Sequence, residues 1–177
     1  HTKTQLSPEF VEMCSCFLET LATIAPTYVI LGNHDGNLKN ASRQDALTPI
    51  VRALKNPDLH LLKNSGETKL DNGFSLNVLS AFDRDNWNTP SDSNQINIDR
   101  YHGAISNSRT DLGWIMEYGE DDISIFEGHD FAFLGDIHKT NQVLDYKGRI
   151  RYASSTVQQN HGETNDKGFL IWDIKSK

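Results

Sequence analysis

Residues 27–35 read TYVILGNHD, an apolar and β-branched run that opens directly into a short polar loop. Residues 27–31 are apolar on both faces, which predicts a strand buried on both sides. Upstream, Ser7, Pro8 and Glu9 form a helix-start pattern of a capping residue, a first-turn proline and an acid. The predicted helix ends before Pro26. A helix followed closely by a buried strand is typical of layered α/β domains.

The rest of the chain continues this alternation of short strands with occasional helices. A second helix is predicted over residues 44–54, and strands over residues 59–62, 74–80, 96–101, 131–134 and 168–174. Turns are predicted over residues 64–73, and two strands should form a hairpin around Gly148. The expected fold class is α/β, a layered arrangement of strands with two or three helices, in one domain that covers residues 1–177.

The composition is that of a globular chain, with 37% hydrophobic residues and a net charge of −7. This charge argues against a broad basic surface for nonspecific nucleic-acid binding. It leaves room for a local basic track, because bound cations would neutralise an acidic centre. Neither a signal peptide nor a long apolar span is evident, and Cys14 and Cys16 are expected to be reduced thiols. We therefore expect a cytoplasmic, nucleoid or nuclear protein rather than a secreted one.

Three predicted strands end in loops whose side chains suit metal or phosphate binding. The first strand is followed by Asn33 and His34, the middle one by His102, and a later one by Asp136 and His138. Ligands of layered α/β folds bind outside the carboxyl ends of strands, so these loops are expected to converge. Amide, carboxylate and imidazole ligands together suit Mn²⁺, Fe²⁺ or Zn²⁺.

The sequences of these loops differ in how specifically each one indicates a ligand-binding site. His102 before a glycine is more often a turn histidine than a ligand, and the later loop alone is also a weak signal. The run from Gly32 to Asp35 is far more specific. Gly32 and Gly135 are expected to let the backbone turn sharply beside a ligand.

The loops resemble the motifs of one enzyme superfamily, the calcineurin-like metallophosphoesterases. Gly32-Asn33-His34-Asp35 resembles its GNH[DE] motif, His102-Gly103 its single-histidine motif, and Gly135-Asp136-Ile137-His138 its closing GHxH motif. Residues 135–139 and 152–163 resemble the branch of SbcD-type DNA double-strand-break repair nucleases most closely. The resemblance implies the α/β metallophosphoesterase fold, a two-sheet β-sandwich flanked by helices. It also implies that the fold is truncated at its N-terminus, with this chain forming the C-terminal two-thirds.

The same resemblance implies a pair of divalent ions and names their ligands. Asn33 and His102 would bind the second ion, and His138 the first. Asp136 stands where the family usually has histidine. It would still bind the second ion, and its harder oxygen favours Mn²⁺ over Zn²⁺.

Two histidines would act on the substrate rather than on the metal. His34 would contact the scissile phosphate, and His1 would be the phosphate-contacting histidine that ends an earlier motif. Asp35 would either orient His34 or cap the following turn. The bridging aspartate expected before His1 is not in the chain, so the chain by itself is expected to bind metal weakly and to be inactive.

The implied function is phosphodiester hydrolysis by a DNA exonuclease or endonuclease subunit in repair or recombination, with an SMC-like ATPase as partner. A phosphatase or nucleotide phosphodiesterase of the same fold is an alternative, which the acidic charge favours. A noncatalytic binding module of this fold is another. Trp87, Trp114 and Trp172 are expected to serve packing rather than base stacking.

Overall fold

The computed structural model of the chain describes residues 6–175, which form two sheets and two helices. His1 lies outside the described residues, so its role stays a prediction. The helices are α1 (Pro8–Ile24) and α2 (Leu47–Leu54). The strands are β1 (Thr27–Ile30), β2 (Leu59–Leu62), β3 (Gly66–Lys69), β4 (Phe74–Leu79), β5 (Ile96–His102), β6 (Phe131–Gly135) and β7 (Ile150–Tyr152), and short 3-10 turns occur at Arg84–Asn86 and Ile123–Phe126.

The strands form one small and one larger sheet. β1 pairs in parallel with β2. The larger sheet has the order β3-β4-β5-β6-β7, in which only the β3–β4 pair is antiparallel. The expectation of a mixed α/β architecture with two sheets and flanking helices is confirmed at this level.

The core lies in layers on the two faces of the small sheet. Alternation along β1 explains this, because Val29 packs with the helices and Tyr28 packs against the larger sheet. The helix-side cluster is Leu18, Ala22, Ile50 and Leu59, and the cluster on the other side contains Leu76, Ile98 and Phe131. β1 therefore contacts an apolar cluster on each face, but all four of its residues are only partly buried, which is less than the apolar run of residues 27–31 predicted.

The outer face of the larger sheet is covered by irregular chain rather than by helices. Tyr101 and Tyr152 lie fully buried here, beside Ile105 and Phe126 from the segment that follows β5. The Tyr101 hydroxyl donates to Asp121 Oδ2 at 2.6 Å. This hydrogen bond fastens the irregular segment to β5, so the layer is held by specific side-chain contacts as well as by apolar packing.

A buried polar ladder crosses the centre of the larger sheet. Asn77 on β4 lies opposite Asp99 on β5, and both side chains are almost completely buried. Burial is the main reason that the pKa of Asp99 rises to about 8. Within the described residues, Asp99 Oδ2 and both polar side-chain atoms of Asn77 have no hydrogen-bond partner. The ladder is therefore a costly feature that the surrounding packing must offset.

Several boundaries differ from the sequence-based predictions for local reasons. α2 begins at Leu47 rather than at residue 44, because the Asp45 carboxylate accepts the N–H groups of Leu47 and Thr48. β3 falls in a segment predicted as turns, since its GETK sequence has no apolar alternation. The partner strand predicted in the hairpin before β7 reduces to one bridge, between Val143 and Arg151.

The strand predicted over residues 168–174 is wrong. This segment has no regular secondary structure, and it is held instead by its one tryptophan. The Trp172 ring stacks on Phe133 at 4.7 Å and meets Phe131 edge-on.

Of the helices in residues 6–175, none has both the length and the apolar composition that crossing a membrane requires.

Candidate metal and phosphate site

The loops after β1, β5 and β6 meet at one cavity. β5 and β6 are neighbouring parallel strands, and their register pairs His102 with Gly135, so the residues after them emerge at the same edge of the sheet. The cavity has a volume of about 640 Å³. Its lining includes all five site residues predicted within the described part of the chain, namely Asn33, His34, His102, Asp136 and His138.

The His102 imidazole occupies a narrow slot between two backbone segments. A methyl group added to Gly32 would lie 2.9 Å from His102 Nε2, and one added to Gly135 would lie 2.7 Å from His102 Nδ1. Gly32 and Gly135 are not among the glycines with positive φ, so the expected sharp turn is not their role. Their missing side chains instead leave room for the ring. The strained backbone belongs to Asp136, whose φ is 94°.

Three potential metal donors lie side by side in the cavity. Asn33 Nδ2 donates to Asp136 Oδ1 at 2.9 Å, and His102 Nε2 lies 3.6 Å from the same oxygen. The amide oxygen of Asn33 is buried and has no hydrogen-bond partner within the described residues. A buried acceptor without a donor is costly unless a ligand satisfies it.

Burial keeps His102 in the form that binds metal. It lowers the pKa of the imidazole, while the nearby carboxylates of Asp136 and Asp35 act in the opposite direction. The lowered pKa favours a neutral ring at physiological pH, and a neutral imidazole is the form that coordinates a cation.

His138 lines the cavity from the loop after β6, and its ring contacts a carboxylate. Its Nδ1 lies 2.8 Å from Glu163 Oε1. The side chain is only partly exposed, and the same residue also borders a smaller neighbouring cavity of about 230 Å³. The backbone N–H of Gln159 is the first of several hydrogen-bond donors that lower the pKa of Glu163 to about 2. Glu163 is therefore an ionised acceptor at neutral pH.

His34 and Asp35 take different positions in the first loop. The His34 side chain is exposed at the cavity wall, where it is free to meet a ligand from solvent. Asp35 Oδ2 accepts the backbone N–H of Gly32 at 2.7 Å, so the carboxylate closes the turn. This turn precedes Asp35, so the contact tests neither predicted role, the orientation of His34 or the capping of the turn that follows. Burial raises the pKa of Asp35 despite that hydrogen bond.

The chemistry of these donors fits a metal ion better than their number of charged groups suggests. Among residues 6–175, no group of three or more histidine, cysteine, aspartate or glutamate side chains is arranged to hold an ion. The Asn33 amide oxygen therefore completes the candidate set with His102 and Asp136. A mixture of hard oxygens and one imidazole fits a divalent ion such as Mn²⁺. The unpartnered oxygen of Asn33 is the observation that favours this fit.

Sequence reasoning missed the contribution of the chain after β7. Ser154, Ser155 and Gln159 line the cavity, and Ser154 Oγ donates to the backbone oxygen of His138 at 2.6 Å. The Tyr152 hydroxyl bonds the backbone of Gly103 and Ile105, which fixes the loop after His102. β7 is the next parallel strand beside β6, so the same strand-end argument would have found these residues had the edge of the sheet been known.

The three tryptophans divide between packing and exposure. Trp87 packs against the outer core and donates to the Ser80 carbonyl, and Trp172 covers Phe133, as expected for packing roles. Trp114 is 76% exposed, so the prediction of a packing role is wrong there. Trp114 lies in a local turn, in which the Thr110 backbone N–H donates to the Trp114 carbonyl oxygen.

Comparison with known proteins gives a relative but no assigned activity. No protein-family model matches the chain. The chain is 38% identical over 189 aligned residues to the uncharacterized protein R555 of Acanthamoeba polyphaga mimivirus. That alignment covers 100% of this chain and 14% of the viral protein, so the chain spans about a seventh of its relative's length.

Proposed function

We propose that the chain carries most of the active site of a metal-dependent phosphodiester hydrolase with the metallophosphoesterase fold. The observation that carries this proposal is the meeting of Asn33, His34, His102, Asp136 and His138 in one cavity. These residues come from three strand ends that lie far apart in sequence. The buried amide oxygen of Asn33 has no hydrogen-bond partner among the described residues, and an ion held with His102 and Asp136 would satisfy it.

The side chains divide into ion-holding and substrate-facing groups. Asn33, His102 and Asp136 would hold one divalent ion, and His138 would contribute to a second. When bound, two such ions supply a polarised phosphate and an activated water. The exposed His34 would hydrogen-bond a phosphate oxygen and stabilise the charge that develops on it. Ser155 Oγ, which is buried without a partner among the described residues, is a further donor at the same wall.

The proposed substrate is DNA, cleaved by a nuclease subunit that works with an SMC-like ATPase. This choice rests on the resemblance to the SbcD-type branch. The net charge of −7 favours a smaller phosphate ester, so a phosphatase or nucleotide phosphodiesterase is the second candidate. A noncatalytic module would keep the fold and lack turnover.

The test is Mn²⁺-dependent hydrolysis by the longest polypeptide that the reading frame encodes. A labelled DNA duplex, a small phosphodiester and a phosphomonoester would be compared under identical conditions. The proposal expects cleavage of the DNA and of the diester. The substitution His34→Ala should reduce turnover by at least about 100-fold, as expected for loss of a group that acts in the transition state, while bound Mn²⁺ stays nearly unchanged.

Asn33→Ala and His102→Ala should instead lower the Mn²⁺ content together with turnover. His161→Ala provides the matched control, because His161 is an exposed histidine outside the cavity lining. Cleavage of the monoester alone would select the phosphatase. A polypeptide that neither binds Mn²⁺ nor hydrolyses any of the three substrates would contradict the enzymatic proposal and leave the binding module.

A further inference from the structure

An ordered network of side chains holds both the ring and the backbone of His138. His138 Nδ1 lies 2.8 Å from Glu163 Oε1. Its backbone oxygen accepts hydrogen bonds from Ser154 Oγ and Lys167 Nζ, the latter at 2.7 Å. Both the ring and the backbone of His138 are thus restrained by residues 25 and 29 positions away, respectively.

Glu163 is itself fixed from several directions. Its Oε2 accepts the Gln159 backbone N–H at 3.0 Å and lies 3.3 Å from Lys167 Nζ, while Oε1 also accepts Asn160 Nδ2. The Glu163 side chain is only 5% exposed. A carboxylate with this many donors has one accessible orientation, so it presents Oε1 to His138 in a set direction.

Lys167 is the buried cation that balances this network. Its side chain is 3% exposed, and Nζ contacts Asp111 Oδ2 at 2.7 Å as well as Glu163. One ammonium therefore joins two carboxylates and the His138 carbonyl, where removal of the charge would leave buried acids unpaired. Burying an ammonium and two carboxylates costs desolvation free energy, and this segment has no regular secondary structure to stabilise. The cost suggests that the three charges have a role besides holding the loop.

We infer that Glu163 is a positioning residue that fixes the His138 ring and its tautomer, with Lys167 anchoring the Glu163 carboxylate. An ionised carboxylate only accepts hydrogen bonds, so His138 must carry its proton on Nδ1. The lone pair then lies on Nε2, the ring nitrogen that does not contact Glu163. Preorganisation of this kind raises the affinity of an imidazole for a metal ion. The link to catalysis rests on the proposed function, whereas the tautomer does not.

The inference is tested by nitrogen NMR of the His138 imidazole in the metal-free 177-residue chain, at a pH where the ring is neutral. The expected spectrum shows protonated Nδ1 and unprotonated Nε2. Glu163→Ala should shift the population toward protonated Nε2, and Glu163→Gln should retain protonated Nδ1, because the amide oxygen still accepts. Mn²⁺ affinity, measured by titration, should fall by about 10–100-fold in Glu163→Ala and less in Glu163→Gln.

Glu163→Asp gives a milder test should the alanine variant fold poorly. It keeps a carboxylate near Lys167 but shortens the reach toward His138, so the tautomer should shift while the fold is retained. Glu127→Ala, which removes an exposed carboxylate on another loop, is the matched control and should leave the His138 spectrum unchanged.

A wild-type ring protonated on Nε2, or a tautomer unaffected by Glu163→Ala and Glu163→Asp, would overturn the inference. A purely structural role for Glu163 would lower stability without a tautomer shift, and this too counts against it. Absence of hydrolysis with the expected tautomer would contradict the proposed function alone, so the two failures are distinguishable.

Discussion

The slot that holds the His102 ring depends on two residues that have no side chain. Gly135 lies opposite His102 in the β5–β6 register, and the space above its Cα is filled by the imidazole. We predict that Gly135→Ala displaces the ring, because the new methyl group would lie 2.7 Å from Nδ1. The expected cost is about 1–3 kcal/mol in the free energy of unfolding, measured by urea denaturation.

Gly168→Ala is the matched control for this substitution. Gly168 has no neighbouring atom within 4 Å of the added methyl group, and it is not among the residues with positive φ. A change within about 0.5 kcal/mol is expected there. Equal effects of the two substitutions would show that the slot around His102 is not tight.

At the scale of single elements, α2 ends at a residue in an unfavourable conformation. Its C-terminal capping residue is Lys55, with φ 51° and ψ 29°, in the left-handed region that favours glycine. We predict that Lys55→Gly stabilises the protein by about 0.5–1 kcal/mol. Thermal unfolding measures the effect as a higher midpoint temperature.

Arg52→Gly serves as the opposite-sign control, because Arg52 is exposed within the last turn of the same helix. There glycine should destabilise by about 1 kcal/mol. A stabilising effect at both positions, or at neither, would contradict the account of the helix end.

The elements differ in how far their sequences could predict them. β1 and β6 are apolar runs, so their own residues largely determine them, whereas β5 mixes apolar with polar residues and pairs with β4 and β6 on its two sides. β3 is a polar edge strand whose pairing is decided by its neighbour β4. Residues 168–174 have strand-like residues but pair with no strand, and Trp172 holds them through ring contacts instead.

The residues of the candidate site also divide into those that the sequence could predict and those that depend on the completed fold. Asn33, His102, Asp136 and His138 could be predicted because each lies at, or within three residues of, the end of a recognisable strand. Glu163 could not, since it reaches His138 from an irregular loop through contacts that depend on the completed fold. Trp114 was mispredicted because a large aromatic residue is usually buried, whereas here local backbone hydrogen bonds hold it in solvent.

At the scale of the whole molecule, the buried ladder should make stability depend on pH. The pKa of Asp99 is raised in the folded protein to about 8 from an ordinary value of 3.8. The unfolded chain therefore loses this proton first as pH rises, and stability falls between about pH 4 and pH 8. We predict that Asp99→Asn flattens this decline and stabilises the protein by about 2–5 kcal/mol at pH 8.5.

Urea unfolding at a series of pH values measures this prediction. Asp71→Asn is the control, because Asp71 is an exposed aspartate in the turn before β4, and its profile should follow the wild type. Parallel profiles for the wild type and Asp99→Asn would mean that Asp99 does not set the pH dependence.

The pairing of His102 with Gly135 gives a way to check whether β5 and β6 are correctly aligned in a folded sample. Side chains alternate along a strand, so sliding β5 by a single position against β6 would turn the His102 imidazole to the opposite side of the sheet. Such a misaligned chain could keep its secondary structure and still offer no ring to an ion. Under the proposed function, manganese binding would then distinguish correctly aligned molecules from near-native ones that circular dichroism cannot separate.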